Sequence, residues 1–162
     1  MLKLQIFLPA ERVIVDKEEM ASLINVLDSV TVEADDQSKI KDESAVPLSW
    51  QIFAIWRKTD VADGKKKFEQ RLELLRPDGS SVFEVIQPLK LDTTHFNFRA
   101  ITKIGAMPIG QEGILALKMY LRETGEVNQW QEMSEYFIHV IYKKKEEVKS
   151  ATKKRRAKKR HR

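Results

Sequence analysis

Leu48-Ser-Trp-Gln-Ile-Phe-Ala-Ile-Trp-Arg57 is the segment with the strongest strand pattern in the chain. Every second residue from Leu48 to Trp56 is apolar, while the alternate positions are polar at the two ends and apolar in the middle. Side chains of a β-strand point alternately to the two faces of a sheet. The pattern therefore predicts a central strand with one face on the core and the other face partly covered.

Strand patterns also precede this stretch. Residues 2–8 alternate and are expected to end at Pro9, because proline cannot donate a hydrogen bond to a neighbouring strand. Residues 10–16 form a second short extended piece. Residues 22–32 are rich in β-branched side chains and predict a strand, although residues 18–27 are also compatible with a helix.

Turns and further strands follow the central stretch. Residues 35–47 are polar and predict a long loop, and residues 59–66 predict a turn around Gly64. The alternation of Phe68, Leu72 and Leu74 with charged residues predicts a half-buried strand. Residues 76–80, Arg-Pro-Asp-Gly-Ser, are a strong turn signal in which Gly79 takes a positive φ. The hairpin partner, residues 81–86, is expected to end before Pro88.

The last third of the chain continues the same pattern. Residues 95–104 alternate cleanly, with an apolar face and a face that meets solvent. Residues 105–113 contain three glycines and predict a connection, residues 114–122 and 130–142 predict strands, and residues 123–126 close a hairpin. Seven to nine short strands without a convincing amphipathic helix predict an all-β fold, an antiparallel β-sandwich of immunoglobulin-like or C2-like type.

Four segments together resemble a known family: residues 53–57 (Phe-Ala-Ile-Trp-Arg), 76–79 (Arg-Pro-Asp-Gly), 95–99 (His-Phe-Asn-Phe-Arg) and 105–110 (Gly-Ala-Met-Pro-Ile-Gly). In this order the chain looks like an uncharacterised family of small bacterial single-domain β-sandwich proteins, a domain of unknown function. The resemblance covers about residues 4–141. It implies the sandwich fold and brings no activity or catalytic residues.

The charge is divided unevenly along the chain. Residues 143–162, here called the tail, hold 12 of the 29 Lys and Arg but 2 of the 24 Asp and Glu, a net charge of +10. Residues 1–142 carry a net charge of −5. We therefore expect a β-sandwich domain over residues 1–142 followed by a disordered or transiently helical basic tail.

The amino-acid composition limits the reactive groups that the protein can use and indicates the cellular compartment in which it functions. The chain has no cysteine, which excludes a disulfide framework and a thiol nucleophile and fits the reducing cytoplasm. The apolar run at the start is interrupted by Lys3 and Gln5 and is too short for a signal peptide or a transmembrane segment. The expectation is a soluble cytoplasmic protein.

Catalytic and metal sites have little support in the sequence. His95 and His139 are the histidines outside the tail, and no Gly-x-Ser-x-Gly elbow accompanies them, so we expect no enzyme and no catalytic residues. Zinc spacing and a phosphate-binding loop are absent. Aspartates in two loops could hold Ca²⁺ in a C2-like fold, but lysines lie among them, and we predict neither a metal nor a cofactor. These aspartates are Asp35, Asp36, Asp42, Asp60 and Asp63.

Two further features have a structural and a functional interpretation. Met107, Pro108 and Ile109 could form a small apolar contact patch, although a simple connection with positive φ is favoured. Trp130 could mark a partner surface, although packing as a lid over one end of the sandwich is favoured.

The tail is the feature that exceeds what a sandwich requires. Its cations could neutralise phosphates of nucleic acid, attract anionic lipid, act as an import signal or only increase solubility. We expect nucleic-acid or other polyanion binding without sequence preference, because the tail has no aromatic residue to stack on bases. The residues that carry this expectation are Lys153, Lys154, Arg155, Arg156, Lys158, Lys159, Arg160 and Arg162.

The expected function is therefore that of a non-enzymatic interaction module with a polyanion-binding tail and a protein partner that the sequence does not name. The alternative is a calcium-dependent binder, or an accessory domain of an enzyme, that uses the loops at one end. In that case the tail only solubilises the protein.

Overall fold

The computed structural model describes residues 1–124 and 129–144. About 64% of these residues lie in strands, and the described residues contain no α-helix, only two 3₁₀ turns, Gln37–Lys39 and Val61–Lys65. The all-β prediction is confirmed. The strands are β1 Leu2–Val15, β2 Ala21–Val26, β3 Ser29–Ala34, β4 Ala45–Val46, β5 Trp50–Lys58, β6 Phe68–Leu75, β7 Ser81–Leu89, β8 Asn97–Ile104, β9 Met107–Pro108, β10 Gly113–Glu123 and β11 Gln131–Lys144.

Two main sheets and one short ribbon contain these strands. The four-stranded sheet has the order β2-β1-β5-β8, the five-stranded sheet has the order β3-β11-β10-β6-β7, and β4 pairs with β9. All pairs are antiparallel except β3 with β11, which run parallel. The expectation of a purely antiparallel arrangement is thus wrong for this pair, because β3 and β11 are not joined by a hairpin and their direction is not limited by a tight turn.

The predicted central strand is confirmed as β5, which lies between β1 and β8. Trp50, Ile52, Ala54 and Trp56 are each 0–1% exposed on the face that points to the core. On the opposite face Phe53 is also buried, and Gln51 and Ile55 are half-buried. Both faces are therefore covered in the middle of the strand, as the sequence pattern indicates.

Strand β1 continues through Pro9, so the prediction that the strand stops there is wrong. Residues 2–10 pair with β5, and residues 10–15 pair with β2. The Pro9 carbonyl accepts a hydrogen bond from the Leu27 amide at 3.0 Å. Proline lacks only the donor, so its carbonyl still serves a neighbour at the point where β1 gains its second partner.

The choice between strand and helix for residues 18–27 is also settled, because this segment contains strand β2. The single strand predicted over residues 22–32 is instead two strands, β2 and β3, which belong to different sheets. A turn at residues 16–20 precedes them, in which the Asp16 carboxylate accepts from the amides of Glu18 and Met20. Side-chain bonding to nearby amides favours a turn over a helix at this point.

Strands β6 and β7 form the predicted hairpin. Gly79 has a φ of +85°, and Gly64 lies in the 3₁₀ turn Val61–Lys65 rather than in a strand. Strand β7, however, continues through Pro88 to Leu89. It tolerates proline more readily than an inner strand does, because it is the last strand of its sheet and pairs only with β6.

The core contains side chains of both main sheets. One continuous cluster includes Trp50 and Trp56 of the four-stranded sheet and Leu72, Leu117 and Ile138 of the five-stranded sheet. The indole Nε1 of Trp56 donates to Gln70 Oε1 at 2.9 Å, which links β5 to β6. Trp50 Nε1 donates to the Ala106 carbonyl at 3.0 Å. Both buried indoles therefore have hydrogen-bond partners, as buried polar groups require.

Candidate functional site

The residues predicted to bind nucleic acid lie outside the described part of the chain. These are Lys153, Lys154, Arg155, Arg156, Lys158, Lys159, Arg160 and Arg162. The structure does describe Lys143 and Lys144, the first two residues of the tail, at the end of β11, where they pair with Glu33 and Ala34 of β3. The remaining residues, 145–162, are called the arm below.

His95 takes part in a local cluster around Asp92. One oxygen of the Asp92 carboxylate accepts from the amides of Thr94 and His95 at 2.8 and 2.7 Å, and the other lies 2.8 Å from His95 Nδ1. Chiefly because of the hydrogen bonds from His95, the pKa of Asp92 falls well below its usual value. The sequence Asp-Thr-Thr-His contains the signal for this cluster, because an aspartate commonly bonds to the backbone two residues later.

A buried lysine lies beneath this loop and was missed in the sequence. The Lys58 residue is 1% exposed, and its Nζ donates to the Asp92 carbonyl at 2.7 Å. The same ammonium lies 5.4 Å from the centre of the Phe96 ring and 5.3 Å from that of Phe98. Strand alternation predicts that the Lys58 side chain points inward, because it lies two residues after Trp56 and therefore on the same face of β5. Its positive charge argued instead for an exposed position.

A groove borders the Asp92 cluster on one side, with a volume of about 440 Å³. The hairpin between β1 and β2 contributes Val15 and Glu19, and β5 and β8 contribute Ile55, Asn97, Phe98 and Arg99. Glu19 has a φ of +61°, and its carboxylate lies 3.9 Å from the Arg99 guanidinium. The hairpin therefore reaches back to the outer surface of β5 and β8.

This groove presents polar groups, but its lining residues include no hydroxyl or thiol. The side chains of His95 and Asp92 are 68% and 50% exposed, so water competes for their hydrogen bonds. The residues that line the groove include no serine, threonine or cysteine to act as a nucleophile. The Thr94 hydroxyl close by contacts the same Nδ1 that faces Asp92, at 3.1 Å. Nucleophilic catalysis needs a base aligned with a nucleophile, and the lining residues do not supply one.

His139 does not join His95. It is exposed on β11, opposite Ile114 in the five-stranded sheet, whereas His95 precedes β8 of the four-stranded sheet. Phe137 and Ile141, which share its face of the sheet, are themselves 51% and 38% exposed.

Three of the five loop aspartates considered for calcium, Asp36, Asp60 and Asp63, take part in local structure. Asp36 and Asp60 accept from backbone amides at the starts of the two 3₁₀ turns. Asp63 is 2% exposed, and its carboxylate accepts a hydrogen bond from the Met1 amine. Burial alone would raise the pKa of Asp63. The hydrogen bonds from Met1 and from the Asp60 amide outweigh the effect of burial, so the pKa is lowered. No group of three or more His, Asp or Glu within the described ranges is arranged to hold a metal ion.

The less favoured alternative, an apolar contact patch at Met107, Pro108 and Ile109, is wrong. All three residues are buried, because Met107 and Pro108 form β9 and pair with β4. Trp130 is half-exposed at the start of β11 and lies over two arginines, 5.1 Å from Arg71 and 4.3 Å from Arg122. It thus packs within the protein, on the outer face of the five-stranded sheet rather than over an end.

In comparisons with known proteins, no family model and no curated protein matches this chain. Within residues 1–124 and 129–144, no helix is long and apolar enough to cross a membrane.

Proposed function

We propose that this chain is a non-enzymatic β-sandwich interaction module, resident in the cytoplasm, whose basic C-terminal arm binds polyanions, with nucleic acid as the main target. The sandwich is supported by the core cluster shared between the two sheets. An immunoglobulin-like or C2-like topology, and membership of the small bacterial family that the sequence resembles, are part of the same proposal.

The separation of charge is the observation that carries the proposal. The arm holds 10 basic and 2 acidic residues, whereas residues 1–144 hold 19 basic and 22 acidic ones. Each cation that meets a phosphate releases a condensed counterion, so clustered Lys and Arg favour binding to nucleic acid. Residues 1–144, here called the body, carry a slight negative charge, so nucleic acid gains no comparable binding energy from them.

Ion pairs on the body support this division. On the outer face of the five-stranded sheet, Lys118 lies 3.2 Å from Glu132 and 3.6 Å from Glu135, and the hydrogen bond to Glu132 is the main cause of its raised pKa. On the same face Arg122 lies 2.6 Å from Glu69. A phosphate approaching these cations would also meet their carboxylate partners. This face is therefore a poor site for a polyanion.

The composition of the arm favours contacts with phosphates over contacts with bases. It contains no Phe, Tyr or Trp, so it cannot supply a stacking surface. Lysine and arginine on a segment without a fixed docking element neutralise phosphates without reading base edges. We therefore expect nucleic-acid probes of different base sequence to bind with similar affinity.

Binding of labelled DNA duplexes to the full chain and to an arm-neutralised variant tests the proposal. In the variant, the eight basic residues between Lys153 and Arg162 become glutamine. We expect the variant to bind at least about a hundredfold more weakly near 50 mM salt, because about eight counterions are no longer released. A second variant with the arm residues in permuted order is the control, and it should bind as the native chain does.

Two results would count against the proposal. Equal affinity of the native and arm-neutralised chains would mean that the arm only solubilises the protein. Tighter binding to anionic phospholipid vesicles than to duplex at the same salt concentration would identify membrane surfaces as the target instead.

A further inference from the structure

A second groove lies between the free edges of the two main sheets. Strand β8 ends the four-stranded sheet, strand β7 ends the five-stranded sheet, and the two strands do not pair. The space between them, called the inter-edge groove, has one part of about 410 Å³ and another of about 440 Å³.

Side chains, rather than backbone bonds, hold the two edges together. Gln70 Nε2 donates to Gln87 Oε1 at 3.1 Å, and Thr102 Oγ1 donates to the same oxygen at 2.9 Å. Gln70 also accepts from Trp56, so the chain of bonds starts in the core. This link fixes the spacing of β7 and β8 and leaves the backbone edges themselves unpaired.

The edge of β8 is suited to accept another strand. Eight residues, Asn97–Ile104, pair with β5 without a register shift and contain no proline. In an antiparallel pair, alternate residues direct their N–H and C=O groups away from the partner, here towards the free edge. Strand β7 differs, because it contains Pro88, which lacks a backbone donor, and because a register shift between Leu74 and Leu75 interrupts its pairing with β6. Interruptions of this kind protect an edge, and β8 has none.

The groove combines an apolar floor with a basic rim. Its floor at one end includes the half-buried Val82, Phe83, Val85 and Ile104. The charged residues that line the two parts are Lys90, Arg99 and Lys103, and no aspartate or glutamate lines either part. Arg99 also lies 3.9 Å from Glu19 of the hairpin between β1 and β2, so an incoming carboxylate would share or displace that contact, whereas Lys103 has no carboxylate partner among the described residues. Arg99 and Lys103 are exposed and alternate along β8 with Ala100 and Ile104, which line the groove, and with the buried Thr102.

Charge decides between the possible occupants. A second copy pairing through β8 would bring Arg99 and Lys103 of each copy close to cations of the same sign, which is unfavourable across neighbouring strands. The chain's own arm has the same sign as the rim. A segment with acidic side chains complements the rim, and apolar side chains at its alternate positions complement the floor.

We propose that the inter-edge groove binds an extended acidic segment of a partner protein, which adds as a strand to β8. Its acidic side chains, four residues apart, lie beside Arg99 and Lys103 on the outer face. The alternate side chains are small and apolar and enter the groove beside Ala100 and Ile104. Backbone hydrogen bonds supply much of the affinity, and the side-chain alternation sets the register, as in other cases of strand addition.

A nine-residue peptide, T-V-E-V-T-V-E-V-T, is the probe for titration against the full chain. We expect submillimolar binding and a loss of about tenfold or more when Arg99→Glu and Lys103→Glu are combined, because two attractive pairs become repulsive. The same double variant should gain affinity for the peptide in which both glutamates are lysine. Lys17→Glu with Lys41→Glu, an equal change of charge at two exposed positions that do not line the groove, is the matched control and should bind as the native chain does.

Methylation of peptide amides separates strand addition from simple charge attraction. A docked strand bonds to β8 along one of its edges, so N-methylation of one alternate set of amides should abolish binding, and methylation of the other set should leave it intact. The arm-neutralised variant should bind the peptide within about threefold of the native chain. That control separates a failure of this proposal from a failure of the proposed arm function.

The proposal is overturned by no detectable peptide binding at about 1 mM. It is also overturned if both methylated peptides bind equally, if binding disappears with arm neutralisation, or if a medium-chain fatty acid binds at β8 and the peptide does not.

Discussion

At the scale of single residues, Trp56 is the side chain on which the core depends most. It is 0% exposed and its indole satisfies Gln70. We expect Trp56→Ala to lower the free energy of unfolding by about 3–5 kcal/mol, because it removes a large buried ring and leaves a buried amide oxygen with one partner fewer. Denaturant titration measures this.

Trp130 provides the comparison. It is half-exposed and contacts Arg71 and Arg122 through its ring face. Trp130→Ala should cost roughly 1 kcal/mol, the size of two exposed cation–π contacts. Equal losses for Trp56→Ala and Trp130→Ala would contradict the assignment of Trp56 to the core.

Alanine substitutions at three glycines distinguish the cost of a strained backbone from the cost of a steric clash. Gly79 has a φ of +85° with nothing near the position of a Cβ, so Gly79→Ala should cost about 1–2 kcal/mol through strain alone. Gly105 has open space and no positive φ, so Gly105→Ala should change stability by less than about 0.5 kcal/mol. A Cβ at Gly110 would lie 2.0 Å from the Asp42 carbonyl oxygen, so Gly110→Ala should be the most destabilising of the three.

Thermal unfolding of the three alanine variants gives the order directly. The expected order of stability is Gly105→Ala, then Gly79→Ala, then Gly110→Ala. A Gly79→Ala protein as stable as the native chain would show that the turn does not hold a left-handed residue.

The sequence predicts burial correctly where an apolar side chain occupies an inward-facing position of a strand. Trp50, Ile52 and Trp56 are buried as their alternation indicates. Prediction failed at Lys58, whose charge argued for solvent, because a backbone carbonyl and two aromatic rings that surround the ammonium come from a segment more than thirty residues away. No local pattern reports such a contact.

At the scale of elements, the turn between β6 and β7 should make stability depend on pH. The pKa of Asp78 is lowered to about 2 from 3.8, chiefly by hydrogen bonds from Gln111 and from Ser80. Because folding lowers this pKa, the stabilisation is complete above about pH 4 and is lost as the pH falls towards 2. Asp78→Asn should therefore melt below the native chain at pH 7, and the difference should shrink near pH 3.

Melting curves of the native chain and the variant at pH 7, 4 and 3 check this prediction. A difference in melting temperature that stays constant over this range would mean that the Asp78 charge does not hold the turn. Gln111→Ala removes the hydrogen bond from the Gln111 amide without removing the carboxylate and should show a smaller effect of the same sign.

Strand ends were harder to predict than strand identities. Pro9 and Pro88 both lie inside strands that were expected to end at them. A proline removes one donor, and whether a neighbour needs that donor depends on the position of the strand in its sheet. Pro88 lies on an edge and Pro9 lies where β1 changes partners, and neither position can be read from the local sequence.

At the scale of the whole molecule, sequence patterns were sufficient for the fold class but not for the order of strands. The parallel pairing of β3 with β11 joins segments about 110 residues apart, and the inter-edge groove depends on which strands end each sheet. Alternation places a side chain on a face and does not name the neighbouring strand. The inter-edge groove was missed for this reason.

The division between a body and an arm is a property of the whole chain. Residues 1–144 contain the buried core cluster, and the arm contributes three apolar residues, Val148, Ala151 and Ala157. Truncation after Lys144 keeps the pairing of β11 with β3. We expect the truncated chain to melt within about two degrees of the full chain at moderate salt, where charges are screened beyond about 8–10 Å.

The salt dependence of duplex binding by the full chain is the decisive measurement for polyanion binding by the arm. If about 6–10 cations of the arm contact phosphates, log affinity should fall against log salt with a slope of roughly −5 to −9, and the chain truncated after Lys144 should lose nearly all of the affinity. A full chain whose affinity does not change with salt, or a truncated chain that binds as tightly, would contradict the assignment of polyanion binding to the arm.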